Sequence, residues 1–357
     1  MRENAKDVTG CNDWQPHYVY LRALIAVSCD ENWHFNWLIS IDSADGQSMA
    51  AGRFRLITRG DFDGVVCGAL LRDHGLIDEI VFAHPNDMQH GRIQVSDRDI
   101  TTNLPYVEGC HLAFDHHSSE VIRTGNAQDN FVNDPDSPSV ARVVYNYYGA
   151  AEGFPSFSDE LMDAVDRADS GQFTNDEVVF PTGWALLNFV VDARTGLGRW
   201  RDFRVTNEEL LLRLVDVCRD PVQSILLRSD VSERTRLYFE HETYFKEQIQ
   251  RTAEMQDKLV VLDLRQEDPI FAGNRFMVYA LYPEANISMH CIRGLNNQNT
   301  VFAIGKSIFD RTSSTDVGEL CLRYGGGGHH ATGTCQVDNE RAEEVKAELI
   351  AEITSDR

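Results

Sequence analysis

From residue 53 onward, short apolar runs alternate with segments of helical period, and each run stops at polar or charged side chains. "RFRLIT", "EIVFAH", "RIQVS" and "CHLAF" read as strands. "DFDGVVCGALLRDHG" reads as a turn and a helix with Gly75 at its C-terminal cap. "SPSVARVVYNYYG" reads as a helix capped by Ser137, with Pro138 at its first position and Gly149 at its end. "SDELMDAVDRADSG" reads as another, capped by Ser158, with Asp159 and Glu160 where the helix dipole favours acids. Short strands joined by helices imply an α/β fold with a mostly parallel sheet covered on both faces. In such sheets, sites form at the carboxyl ends of strands.

The middle of the chain reads as helical. "TNEELLLRLVDVC" opens with a capping box, Thr206 to Glu209, and Asp220–Pro221 breaks it. Residues 230 to 256 read as one long polar-faced helix joining two domains. From 258 the pattern changes: "KLVVLDL", "RFMVYALY", "ISMHCIR" and "TVFAIGKSI" are strand candidates. "DVGELCLRY" reads as a helix, "GGGGHH" follows it, and "DNERAEEVKAELIAEI" closes a smaller α/β unit. The expected organisation is an N-terminal extension over 1–52, a first α/β domain over 53–204, a helical linker over 205–256 and a second domain over 257–357.

The 357 residues are ample for two domains. A formal net charge of -23 argues against a general nucleic-acid coat, because nonspecific phosphate affinity comes from Lys and Arg. It leaves room for a small phosphorylated substrate, since bound cations can invert a local field. The eight cysteines include no C-x-x-C pair and read as reduced thiols, which implies a cytoplasmic protein. No run approaches the ~18 apolar residues of a membrane span. "LRALIAVSC", ending at Cys29, has the length of a minimal export-signal core, but its long acidic lead argues against that role. Met49 is an alternative start that would open directly on the first strand and leave residues 1 to 48 as extra sequence.

Five constellations carry possible chemistry. In "TRGDFDG", Asp61 and Asp63 follow a strand at a turn made possible by Gly64. They either converge on one cation or cap the next helix. In "VSDRDITTN", Asp97 and Asp99 follow the run "RIQVS" and read as a solvated turn unless one is a ligand. "LAFDHHSSE" ends an apolar run in Asp115, His116 and His117. Adjacent histidines at a strand end point in different directions, so one can bind metal while the other faces substrate. In "AVDRADSGQF", Asp166 and Asp169 are three apart near a helix end, where a lone acid is usually a solvated charge. In "RYGGGGHHATG", consecutive glycines let an anion or nucleotide approach the main chain, with His329 and His330 as further donors.

Taken in this order, the motifs resemble the DHH phosphoesterase superfamily. D-x-D-G, an Asp after a strand, D-H-H and a later Asp match its catalytic domain. The G-G-G-G-H run looks like its DHHA1 substrate-binding module. The resemblance covers residues 53 to 355 and implies a two-metal site, usually manganese. Asp61, Asp63, Asp99, His116 and Asp169 would be the ligands, with Asp97 and Asp166 as alternatives to Asp99 and Asp169. His117 would face the scissile phosphate, and Asp115 would ligate or orient. Arg311, Gly326, Gly327, Gly328, His329 and His330 would bind substrate. Oxygen and imidazole donors suit Mn²⁺, with Mg²⁺ or Co²⁺ as alternatives. Many members carry a metal-binding His four residues before the first Asp; here that position is Ile57, which cannot ligate.

The implied function is hydrolysis of a phosphoester bond in a nucleotide, short oligonucleotide or cyclic dinucleotide by metal-activated water. The alternatives are an exopolyphosphatase-like hydrolase and a non-catalytic nucleotide-binding protein. The expected partner is a small phosphorylated molecule or short oligonucleotide, with neither long nucleic acid nor membrane, and a homodimer remains open.

Overall fold

The computed structural model describes residues 53–117, 120, 123–124, 128–200 and 203–355. The expectations about Cys29, Met49 and the N-terminal extension lie outside these residues.

Five strands form the first sheet: β1 (Phe54–Arg59), β2 (Ile77–Ala83), β3 (Asp99–Thr102), β4 (Leu112–Asp115) and β5 (Phe131–Asn133). Their order is β2-β1-β3-β4-β5 and every neighbouring pair is parallel. The order reverses beside β1, so the crevice at the carboxyl ends of β1 and β3 is the topological switch point. The register pairs Thr58 with Thr102 and Thr102 with Phe114. The segments leaving β1, β3 and β4 therefore emerge along one edge.

Helix α1 (Phe62–Asp73) follows β1 and is buried from Phe62 to Leu71. It packs against the helices Val140–Tyr147, Asp159–Asp169 and Asn207–Val217. Leu56, Val65, Leu70, Phe114, Val144, Leu161 and Leu214 belong to this core. Ile57 sits in a separate apolar cluster with Ala83, Met88 and Leu104 and has no exposed surface.

The second sheet has six strands: β6 (Ala253–Gln256), β7 (Leu259–Asp263), β8 (Ile287–Arg293), β9 (Asn299–Lys306), β10 (Gly327–His329) and β11 (Thr332–Asp338). Their order is β10-β11-β9-β8-β7-β6, and only β7 and β8 pair in parallel. The alternation along β7 splits its side chains between two cores. Leu259 and Val261 pack with the helices Val317–Leu322 and Ala342–Ser355, while Val260 and Leu262 pack with Phe189, Tyr238 and Phe276. No helix among the described residues is long and apolar enough to cross a membrane.

Four local expectations need correction. Residues 92–96 are irregular, and the strand begins at Asp99. "RFMVYALY" contains a short helix, Met277–Leu281; a brief, almost wholly apolar run carries no period to separate helix from strand. Ser139, rather than Ser137, caps the helix Val140–Tyr147 by accepting from the Arg142 N–H. The long helix stops at Thr252, and 253–256 become the edge strand β6.

Candidate active site

The chain leaves β1 through Arg59 and Gly60 and turns at Asp61, whose carboxylate caps α1 by accepting the Gly64 N–H at 3.0 Å. A Cβ on Gly64 would fall 1.9 Å from the Arg59 carbonyl oxygen, so only glycine permits this turn. The other oxygen of Asp61 pairs with Arg59 Nε at 3.0 Å. Asp63 lies two residues on and is 2% exposed. It accepts hydrogen bonds from Asn103 Nδ2 at 2.8 Å, from the Ala141 N–H at 2.8 Å and from the Val140 N–H at 3.3 Å. The amino end of one helix thus holds a carboxylate carried by another, where its dipole favours negative charge.

His116 and His117 diverge from the end of β4. His116 Nδ1 donates to the Ser137 carbonyl at 3.0 Å, which leaves Nε2 facing Asp169 Oδ2 at 3.1 Å. Burial opposes the charged ring of His116, but the hydrogen bond and charge of Asp169 outweigh it and raise its pKa to about 9. Burial likewise works against the Asp169 carboxylate, yet His116 holds it below the ordinary range. Burial together with the charges of Asp169 and Asp61 pushes the Asp63 carboxyl well above that range. Asp61, Asp63, His116 and Asp169 therefore share one electrostatic environment.

His117 takes the other direction. Its Nδ1 donates to Asp115 Oδ1 at 2.7 Å, and its ring stacks on His329, with centroids 4.1 Å apart and planes 12° apart. Burial, with the neighbouring charges of His117 and Arg59, pushes the His329 pKa down to about 4. The contact joins the first sheet to the glycine-rich segment of the second.

Asp99 does not join this group. It stands at the amino end of β3, about 13 Å of strand from the carboxyl edge. It accepts from Arg55 Nε at 2.7 Å, from the Ser96 N–H at 2.7 Å and from Ser96 Oγ at 3.0 Å. The expected ligand role fails because the β-branched run Ile100-Thr101-Thr102, rather than 92–96, forms the strand. Asp97 is exposed at the same far end. The residue that follows β3 at the active edge is Asn103, in the left-handed conformation with φ 55° that Asn tolerates. Its Oδ1 is buried without a hydrogen-bond partner. Asp99→Asn will lower stability by about 1–3 kcal/mol and leave turnover unchanged; thermal melts beside initial rates check both.

Asp166 is consumed locally by Ser139 Oγ at 2.6 Å and Arg142 Nε at 2.8 Å, so Asp169 is the acid of that pair that reaches the cluster. Arg311 extends across to the Ser170 and Gly171 carbonyls, each at 3.5 Å, beside Asp169. His330 turns away to Lys306 Nζ at 2.8 Å and Asp316 at 3.2 Å. Gly327 and Gly328 of the glycine run belong to β10, the edge strand of a hairpin with β11. A Cβ on Gly326 or Gly328 would fall 2.1 or 2.2 Å from a carbonyl oxygen of β11, whereas one on Gly327 would meet nothing within 4 Å.

The donor set suits a divalent cation: three carboxylates, one imidazole nitrogen fixed by a carbonyl on its other side, and the orphaned Asn103 Oδ1. Among the described residues, no three His, Cys, Asp or Glu side chains already stand at the spacing of a formed metal site. Ile57 fills its position with buried hydrocarbon, and Asp99 lies at the other end of its strand. Of the ligands that the resemblance implies, Asp99 therefore stands apart from Asp61, Asp63, His116 and Asp169.

No family model matches the chain. The pGpG-specific phosphodiesterase PggH from Vibrio cholerae is 51% identical, with 85% of this chain and 100% of that chain covered at a TM-score of 0.71. A solved DHH domain from a member of a ribosomal-protein family shares the fold at 12% identity and a TM-score of 0.50, covering 84% of this chain and 86% of that one. The A-adding tRNA nucleotidyltransferase of Aquifex aeolicus (strain VF5) is 32% identical over 116 residues. That match takes in 30% of this chain, which spans only 14% of that relative's length. By fold, motif order and likeness over 85% of its length to a phosphodiesterase, the chain belongs to the DHH superfamily and is a hydrolase acting on phosphoester bonds.

Proposed function

We propose that this protein is a divalent-metal-dependent phosphodiesterase that hydrolyses a short linear dinucleotide of the pGpG type to mononucleotides. The observation that carries this reading is the 51% identity, over the whole of that chain, to a pGpG-specific phosphodiesterase. The electrostatically linked carboxylates and histidine at the switch point support it. A catalytic role for 53–204 and a substrate-holding role for 257–357 fit the stacking of His117 on His329.

Asp61, Asp63, His116 and Asp169, with Asn103 Oδ1, would hold one cation, Mn²⁺ being the first choice for these donors. Such an ion supplies Lewis acidity and a water of lowered pKa. Asp115 fixes which nitrogen of His117 carries its proton toward the carboxylate and sets the ring plane. In the imidazolium form the ring's other N–H donates to the scissile phosphoryl group and stabilises its developing charge. His329, held neutral, stacks behind the His117 ring. Burial of the cluster strengthens each of these interactions.

The test is hydrolysis by the full chain with Mn²⁺, Mg²⁺, Co²⁺ or chelator. The panel holds pGpG, a cyclic dinucleotide, a longer oligonucleotide, a nucleotide 3'-phosphate and polyphosphate. The expected result is metal-dependent release of mononucleotide from pGpG ahead of the rest. Orthophosphate release from polyphosphate without dinucleotide cleavage would reject it.

A further inference from the structure

Behind the acid cluster lies a second charged group that the hydrolytic step does not use. The helix Gly183–Val191 ends at Asp192, which is 7% exposed and caps the turn Ala193–Thr195 by accepting the Arg194 N–H at 2.8 Å. The same carboxylate takes Arg194 Nε at 2.8 and 3.1 Å and Arg275 Nη1 at 2.5 Å. Arg275 arrives from far along the chain on a rigid base. Gly273 N–H donates to the Thr195 carbonyl at 3.0 Å, and Asn274 Nδ2 donates to the Val178 carbonyl at 3.0 Å and to Tyr238 OH at 2.8 Å.

Two guanidinium groups thus share one carboxylate and keep an excess positive charge. Their side chains remain 45% and 32% exposed, so the pair is open to solvent in part. The group is electrostatically continuous with the cluster: Arg194 senses Asp61 and Asp169, and Arg275 senses Arg194 and Arg59. Burial, with the adjacent Arg194, lowers the Arg275 pKa to about 10, while Asp192 opposes the shift. A structural ion pair joining the two halves needs only one of these arginines. A pair of preoriented forks is the arrangement that recognises a dianionic phosphate.

We propose that Arg194 and Arg275, held by Asp192, anchor the terminal, non-scissile phosphate monoester of the substrate. A diester carries one negative charge, whereas a terminal monoester carries nearly two and three open acceptor oxygens. The pair therefore selects a short chain that ends in a 5'-phosphate over the same linkage inside a longer one. This assignment rests on the dinucleotide reading above.

The experiment compares kcat/KM for pGpG and for GpG, which lacks the 5'-phosphate, in wild type and in Arg194→Met, Arg275→Met and Arg275→Lys. Wild type will prefer pGpG by about 10²-fold or more, because a site built for a charged group rejects the analogue without it. Each Met variant will lose most of that preference, with GpG turnover within about threefold of wild type. Arg275→Lys keeps the charge but not the fork and will fall between them. Equal wild-type turnover of the two dinucleotides, or loss of both in the same proportion in the variants, overturns the anchor and leaves the dinucleotide reading standing. Turnover of another member of the panel with neither dinucleotide cleaved overturns that reading, and the anchor with it.

Discussion

Replacing His116 with alanine will lower kcat/KM on the dinucleotide by about 10²–10³-fold, the usual loss when one charge-stabilising group leaves a preorganised site. The His116 Nε2 is aimed at the Asp169 carboxylate, and the ring's orientation is set by the Ser137 carbonyl. A purely structural ion pair would lose stability without a selective loss of turnover, so melts and rates are read together. The same variant carries a pH signature in the metal-free protein. The folded-state pKa of His116 is raised to about 9, above its unfolded value of about 6.5. The stability gained from its pairing with Asp169 is fully present below about pH 6.5 and is lost as pH rises through about 9. His116→Ala will flatten that limb. Retention of wild-type turnover would remove His116 from the site.

Asn103→Asp will make the protein's stability depend on metal. Asn103 is 2% exposed and donates to Asp63 at 2.8 Å. An ionised Asp cannot donate, and it adds a fourth carboxylate to a cluster in which Asp63 is already pushed toward its neutral form. Two such charges 4 Å apart repel by about 4 kcal/mol at an effective dielectric of 20. The metal-free variant will therefore melt well below wild type. Added Mn²⁺ will close or reverse the gap, and half-maximal activity will need about tenfold less Mn²⁺. Melts in chelator and in Mn²⁺, beside a Mn²⁺ titration of the rate, measure both effects. Equal melting shifts with and without metal would show that position 103 does not face a cation.

The motifs legible along the chain were those whose chemistry is local. Asp61 before a turn, Gly64 inside it, Ser158 before a helix and the Thr206–Glu209 box each act on groups within a few residues, and each occupies its expected place. Asp99 shows where local reading stops. An acid beside a strand is equally plausible before or after it, and the choice depends on which four residues pair with β1. Moving the strand sends Asp99 to the far edge and brings Asn103, a residue with no sequence signal of its own, to the active one. The glycine run has a packing role that its composition does not reveal, for a related reason. Its composition suggests main chain open to an anion, but the absence of Cβ atoms at Gly326 and Gly328 serves the close approach of β11.

The sequence by itself determined the alternation that makes a parallel sheet, the family to which its motifs belong, and the separation of His116 from His117. These follow from short-range periodicity and from residue types that have few other uses in such positions. Only the tertiary structure decided which carboxylates meet. It seats Asp63 on the amino end of a distant helix, chooses Asp169 over Asp166, and gathers Arg194 and Arg275 around Asp192. Convergence of this kind is set by strand order and helix packing, which long-range burial selects and no local spacing encodes.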